Sequence, residues 1–106
     1  MDPRIAAVIA RMESTLESAP GIPDLAASVQ LSPSRFAHLF RAETGVPPGR
    51  YLQTMRMQRA RVLLERTFLT VREVMARVGA RDPSHFARDF RRFHGLTPSA
   101  VRERSA

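Results

Sequence analysis

Two ten-residue stretches hold the side chains of this 106-residue chain best suited to chemistry on a polyanion: SPSRFAHLFR at 32 to 41 and DPSHFARDFR at 82 to 91. At helical spacing the first puts Ser34, Arg35, His38 and Arg41 on one side and Phe36, Leu39 and Phe40 on the other. The second, continued to Phe93, sets Ser84, His85, Arg88, Arg91 and Arg92 apart from Phe86, Phe90 and Phe93. A guanidinium fork bonds phosphate bidentately and matches O6 and N7 of guanine, while serine and histidine donate or accept at base edges. These faces therefore suit a DNA major groove. Arg88, exposed in mid-helix, is the foremost base reader; Arg41, Arg91 and Arg92 fit phosphate, which positions without reading sequence. The competing roles are a phosphate contact or ion pair for Arg88, and plain surface exposure for His38 and His85. The phenylalanines follow the buried stripe and are assigned to core, where a single-strand binder would expose them for stacking.

The elements that hold these residues can be read from caps and periodicity. Ser32-Pro33 and Asp82-Pro83 mark helix starts, because the side-chain oxygens accept orphan N–H groups and proline suits the first helical position. Residues 3 to about 18 form an amphipathic helix with Ile5, Val8, Ile9, Met12 and Leu16 as its stripe, ended by Ala19-Pro20-Gly21. A short helix follows Pro23, with Leu25, Ala26 and Val29 inside; the turn Gln30-Leu31 leads to the capped helix 32 to 43. Two helices joined so tightly are the helix-turn-helix pattern. Gly45 closes it, and Pro47-Pro48 starts a helix to about Arg66, roughly 28 Å long. Its expected inward stripe is Leu52, Met55, Ala60 and Leu63, with Arg56, Arg59, Arg61 and Arg66 as a solvated basic face that makes some phosphate contacts.

After a break at Thr67 to Leu69, Thr70 and Glu73 make a capping box for a helix lined by Val71, Val74, Met75 and Val78. Gly79 ends it, Ala80-Arg81 turn, and Asp82 caps the next helix, which Gly95 terminates. Thr97-Pro98 opens a last helix, apolar at Ala100 and Val101. The chain thus reads as all-α, with about seven helices in two homeodomain-like helix-turn-helix units: 1 to 45, then a linker helix at 46 to 67, then 68 to 106.

An internal repeat ties the two units together. Shifting residues 25 to 51 by 50 positions matches Ala26/Ala76, Pro33/Pro83, Ser34/Ser84, Phe36/Phe86, Ala37/Ala87, Phe40/Phe90, Arg41/Arg91, Gly45/Gly95 and Pro48/Pro98. These nine identities in 27 ungapped positions exceed the roughly two expected by chance and fall at caps, core positions and helix ends. Duplication favours DNA, whose successive major-groove faces lie roughly 34 Å apart. A duplicated packing module explains the repeat but not its basic faces.

Composition excludes several classes. A chain of this length fits one modest domain, and the longest clean apolar run, Ile5 to Ala10, is far short of the roughly 20 residues a membrane span needs. The start Met1-Asp2-Pro3 lacks the basic segment of a secretory signal, so a soluble, cytoplasmic protein is expected. There is no cysteine; His38, His85 and His94 show no ligand spacing with a carboxylate; and no Gly-rich phosphate loop or nucleophile elbow occurs. No metal, cofactor or enzymatic activity is expected. All 17 basic residues are arginine against 10 acidic ones, and the whole excess of seven lies in residues 51 to 106. That asymmetry points to a polyanionic partner, nucleic acid or an anionic membrane surface, with plain solubilisation as the competing explanation. The alternative is a basic helical adaptor that binds protein or an anionic membrane surface through the 48 to 66 helix.

From about Ile22 to Arg102 the chain resembles the DNA-binding domain of AraC/XylS-family transcription regulators of bacteria. The resemblance rests on Leu25-Ala26, F-x-x-x-F-R at 36 to 41, Gly45, Tyr51-Leu52, R-M-x-x-A at 56 to 60 and the leucine pair at 63 and 64. It continues through G-x-x-D-x-S-x-F-x-x-x-F-R-R at 79 to 92, G-L-T-P-S at 95 to 99, and Arg102. It implies two helix-turn-helix subdomains on a shared linker helix, binding a promoter or operator as double-stranded DNA through adjacent major grooves. It also implies contact with RNA polymerase to activate or repress. By position it gives base reading to Ser34, Arg35 and His38 in the first unit and to Ser84, His85 and Arg88 in the second. Family members often carry a separate sensing and dimerisation domain, so this domain by itself is expected to be monomeric. Residues 3 to 18 then suit the tail of a linker from a longer regulator, the alternative being a natural single-domain protein.

Two positions depart from the family pattern. Ala80 stands where an aromatic usually follows the glycine, and Val101 where tyrosine commonly precedes the arginine. Loss of a core aromatic is worth about 3 to 5 kcal/mol, so the second unit is expected to be thinly packed unless a neighbour such as Phe93 refills the space.

Overall fold

The computed structural model describes residues 1 to 105, and among them every regular element is helical. The helices are α1 (Pro3–Ser14), α2 (Ile22–Ser28), α3 (Pro33–Thr44), α4 (Pro48–Arg66), α5 (Val71–Arg77), α6 (Pro83–His94) and α7 (Pro98–Ser105), with a 3-10 turn at Leu16–Ser18. They form two compact units. Unit 1 comprises Met1–Leu16 and Pro20–Gln53; unit 2 comprises residues 17 to 19 and the chain from Thr54 onward.

The caps form where the residue types demand them. Ser32 Oγ accepts from Arg35 N at 3.2 Å, and Asp82 Oδ1 accepts from His85 N at 3.1 Å. In the box at the start of α5, Glu73 N donates to Thr70 Oγ1 and Thr70 N to Glu73 Oε1, both at 3.0 Å. Gly45 and Gly95 take left-handed backbone at φ 83° and 79°, each donating to the arginine carbonyl four residues back at 2.8 Å. The expected α1 is shorter: the Thr15 hydroxyl donates to Arg11 O at 2.5 Å, competing for the last-turn carbonyl, and the helix gives way to the 3-10 turn.

In unit 1, α1 and α2 pack on α3. Ile5, Val8, Met12, Leu16, Leu25, Ala26, Phe36, Phe40 and Leu52 are buried, while Ile9, Val29 and Leu39 are half-buried. Phe40 packs at 5.6 Å from Phe36 and edge-on at 5.3 Å from Tyr51 of α4. In unit 2, α5 and α7 pack on α6, burying Met57, Ala60, Leu64, Val74, Met75, Val78, Phe86, Phe90, Pro98 and Val101. The last helix therefore anchors through Pro98 and Val101, with Ala100 half-buried.

The inward stripe of α4 differs from expectation. Leu52 and Ala60 are buried as the spacing predicts, but Met57 and Leu64 replace Met55 and Leu63, which are half-buried. The helix serves unit 1 up to Gln53 and unit 2 from Thr54, so no single stripe runs its length. Arg56, expected on the solvated basic face, is half-buried, with Nε shielded and unpartnered; burial pushes its guanidinium pKa down.

Phe93 is not core: it is 42% exposed. The end of α6 is closed instead by His94, four residues past Phe90, whose ring lies 4.5 Å from that of Phe90. Its Nε2–H donates to Met57 O at 2.9 Å, which fixes the tautomer. Unit 2 thus uses a histidine against Phe90 where unit 1 uses Tyr51 against Phe40, and Val101 fills the position equivalent to Tyr51 without a ring. Ala80 is half-buried, its N–H donating to Met75 O at 2.9 Å.

The repeat also contains a gap. In unit 1, Gln30 takes the left-handed conformation (φ 61°), donating to Ala27 O at 3.0 Å while Leu31 N reaches Ala26 O at 3.1 Å. In unit 2 the same paired bonds run from Gly79 (φ 78°) to Ala76 O and from Ala80 to Met75 O. The equivalents before the turn are thus 49 residues apart and those after it 50. Buried Ala26 corresponds to buried Met75, and the Ala26/Ala76 identity pairs a core residue with an exposed one. The second turn holds one extra residue.

Candidate nucleic-acid interface

The spacing of the phenylalanines decides which way α3 and α6 face. With Phe36 and Phe40 buried, Ser34, Arg35, His38 and Arg41 are all exposed, and with Phe86 and Phe90 buried, so are Ser84, His85, Arg88, Arg91 and Arg92. Each helix therefore presents a polar, cationic side held by a two-ring anchor beneath it, with Phe86 and Phe90 5.8 Å apart in the second. The prolines at the first helical position and the caps at Ser32 and Asp82 fix where each helix begins.

Electrostatics sharpen the second face. The Asp82 carboxyl is held below its ordinary pKa, chiefly by the His85 N–H it accepts, with the charges of His85 and Arg88 as smaller contributions. It stays anionic and keeps the cap. Beside it Arg81, the residue that lengthens the turn, is exposed. The last turn of α6 adds Arg91 and Arg92, whose positive charges suit the carbonyl end of the helix dipole.

Unit 1 has a groove of about 490 Å³ beside its recognition-type helix, lined by Arg4, Leu31, Ser34, Arg35, His38 and Leu39. Periodicity alone could not place Arg4 there, because its nearness to α3 comes from tertiary packing of α1. The Arg4 fork bonds Asp2, Nε to Oδ1 at 3.2 Å and Nη2 to Oδ2 at 3.0 Å, and Asp2 also accepts Arg4 N at 2.8 Å as the α1 cap. A second residue whose role was not legible is Arg102. Its two terminal nitrogens donate to Thr67 O and Leu69 O, tying the α4–α5 loop to α7 and leaving Phe68 fully exposed between them. Among the described residues no cluster of histidine and carboxylate groups could hold a metal, and no helix is long and apolar enough to cross a membrane.

Residues 25–104 match the model of a helix-turn-helix domain family. The HTH-type transcriptional regulator GbdR of Pseudomonas aeruginosa is 31% identical over 101 residues, covering 95% of this chain and 28% of that regulator. The arabinose operon regulatory protein of Escherichia coli is 36% identical over 81 residues, covering 76% of this chain and 28% of that protein. The chain therefore spans under a third of the length of these two relatives. Among solved structures, the DNA-binding domain of the global transcriptional factor AdpA, in complex with a target DNA, superposes with a TM-score of 0.90 at 36% identity. The superposition covers 98% of this chain and 93% of that one. An AraC-type transcriptional regulator of Chromobacterium violaceum gives 0.87 at 27% identity over the same shares. With its duplicated helix-turn-helix units and this match over most of its length, the chain belongs to the AraC/XylS family, as the helix-turn-helix domain of such regulators.

Proposed function

We propose that this chain binds double-stranded DNA sequence-specifically as a transcription regulator, α3 and α6 entering successive major grooves of a promoter. Ser34, Arg35 and His38 read bases in one groove and Ser84, His85 and Arg88 in the next; Arg41, Arg91 and Arg92 hold phosphate. The observation that carries this reading is the equivalence of the two helices: the same cap, the same buried phenylalanine pair and the same left-handed terminal glycine, with all nine polar side chains exposed. Contact with RNA polymerase, dimerisation through a domain outside this chain, and a cytoplasmic setting without enzymatic chemistry complete the proposal. The adaptor alternative is weaker, since α4 spends Leu52, Met57, Ala60 and Leu64 on the cores and offers only Val62 as an exposed large apolar side chain.

The test is a salt titration of affinity for a duplex selected from a random library. The expected result is a steep loss of affinity, about 0.9 log unit per phosphate contact per log unit of salt. No duplex binding at low salt would overturn the proposal.

A further inference from the structure

We infer that Arg4 completes the DNA-contacting surface of unit 1, and that the groove between α1 and α3 seats the sugar–phosphate edge of one strand against its guanidinium. The inference rests on the reading of α3 as a recognition helix. Three of the groove's six lining residues, Ser34, Arg35 and His38, are those proposed to read bases, while Arg4 faces them from α1 across Leu31 and Leu39. A duplex seated on α3 has its backbone at the margins of the groove that α3 occupies, and that margin is where α1 lies.

Preorganisation favours a phosphate there. Residues 22 to 45 carry two arginines against two acidic groups, and residues 1 to 5 add Arg4 together with its ion-pair partner Asp2, so a held guanidinium and not net charge recommends this position. Asp2 holds Arg4 through Nε and Nη2, and the whole pair is tied to the helix start by the cap bond to Arg4 N. Those bonds use Nε and Nη2, so among the described residues Nη1 is the terminal nitrogen that remains for a phosphate oxygen. The Arg4 side chain is half-exposed, so reaching it requires no rearrangement of the core below.

The experiment compares the wild-type chain with Arg4→Ala, Arg4→Gln and Arg11→Ala on the selected duplex, measuring affinity across salt. Arg11 is an exposed arginine of α1 outside the groove and serves as the control. Both Arg4 variants should reduce the salt slope by about one contact's share, about 0.9, and weaken binding severalfold on all sequences alike. Arg11→Ala should leave the slope unchanged. Ethylation of single phosphates should reveal one position whose modification impairs the wild type but not Arg4→Ala. The backbone N–H that Asp2 caps survives in both variants, and helical circular dichroism equal to wild type verifies it. An unchanged slope for folded Arg4→Ala, with Arg35→Ala still impaired, would overturn this inference alone. Absence of duplex binding by the wild type would overturn the functional proposal and this inference with it.

Discussion

Arg88 illustrates how far a single side chain can be assigned. It lies on the exposed side of α6, two residues after Phe86 and two before Phe90, with Asp82 near enough to feel its charge. If it bonds guanine through both nitrogens, Arg88→Ala should lower the ratio of specific to nonspecific affinity by about 1 to 3 kcal/mol, read by competition between selected and scrambled duplexes. An equal loss on both duplexes would make it a phosphate anchor. The exposure of all nine such residues was legible from two buried phenylalanines per helix, because a 3.6-residue repeat fixes the opposite side once one side is known. Arg4 and Arg102 were not, since each acts on an element distant in sequence: Arg4 beside α3, Arg102 on the loop carbonyls after α4. Helical spacing of apolar residues assigns Phe93 to the core and gives His94 no place there, for a related reason. Both suit the inner side at the end of α6, and only the carbonyl of Met57 decides between them.

The elements show the same division between local and tertiary information. The side-chain-capped helix starts, the capping box and the terminal glycines were legible because each involves residues within four positions of one another; α2, capped by Gly21 without a side-chain bond, begins at Ile22 and not after Pro23. The buried stripe of α4 was not, because one helix supplies two cores in succession. The turns before α3 and α6 test the local part of the account. Both use the same pair of hydrogen bonds around a left-handed residue, but it is Gln30 in one and Gly79 in the other. Left-handed backbone strains a residue with a Cβ by roughly 1 to 2 kcal/mol. Gln30→Gly should therefore stabilise unit 1 by about 0.5 to 1 kcal/mol, and Gly79→Ala should destabilise unit 2 by about 1 kcal/mol. Urea midpoints at unchanged slope would check both, and a loss of stability in Gln30→Gly would contradict this account of the turn.

Across the whole molecule charge is distributed unevenly. Residues 70 to 95 carry six arginines against three acidic groups, whereas 22 to 45 are balanced. Unit 2 should supply more of the phosphate affinity. Replacing Arg91 and Arg92 together by alanine should lower the salt slope by about twice the effect of Arg41→Ala, measured on one duplex. Equal effects would mean that α6 uses only one of its two terminal arginines. The feared thinness of unit 2 at Val101 is met in part by His94, so the same unit that carries the charge also keeps a ring on its central phenylalanine. The one-residue expansion of its turn has a consequence for how the two copies could diverge. Inserted inside α6, a residue would rotate every later side chain by about 100° and turn the arginines into the core. Placed at the turn, it leaves both faces of the helix untouched, so the duplicated halves were free to change length only where neither packing nor recognition keeps count.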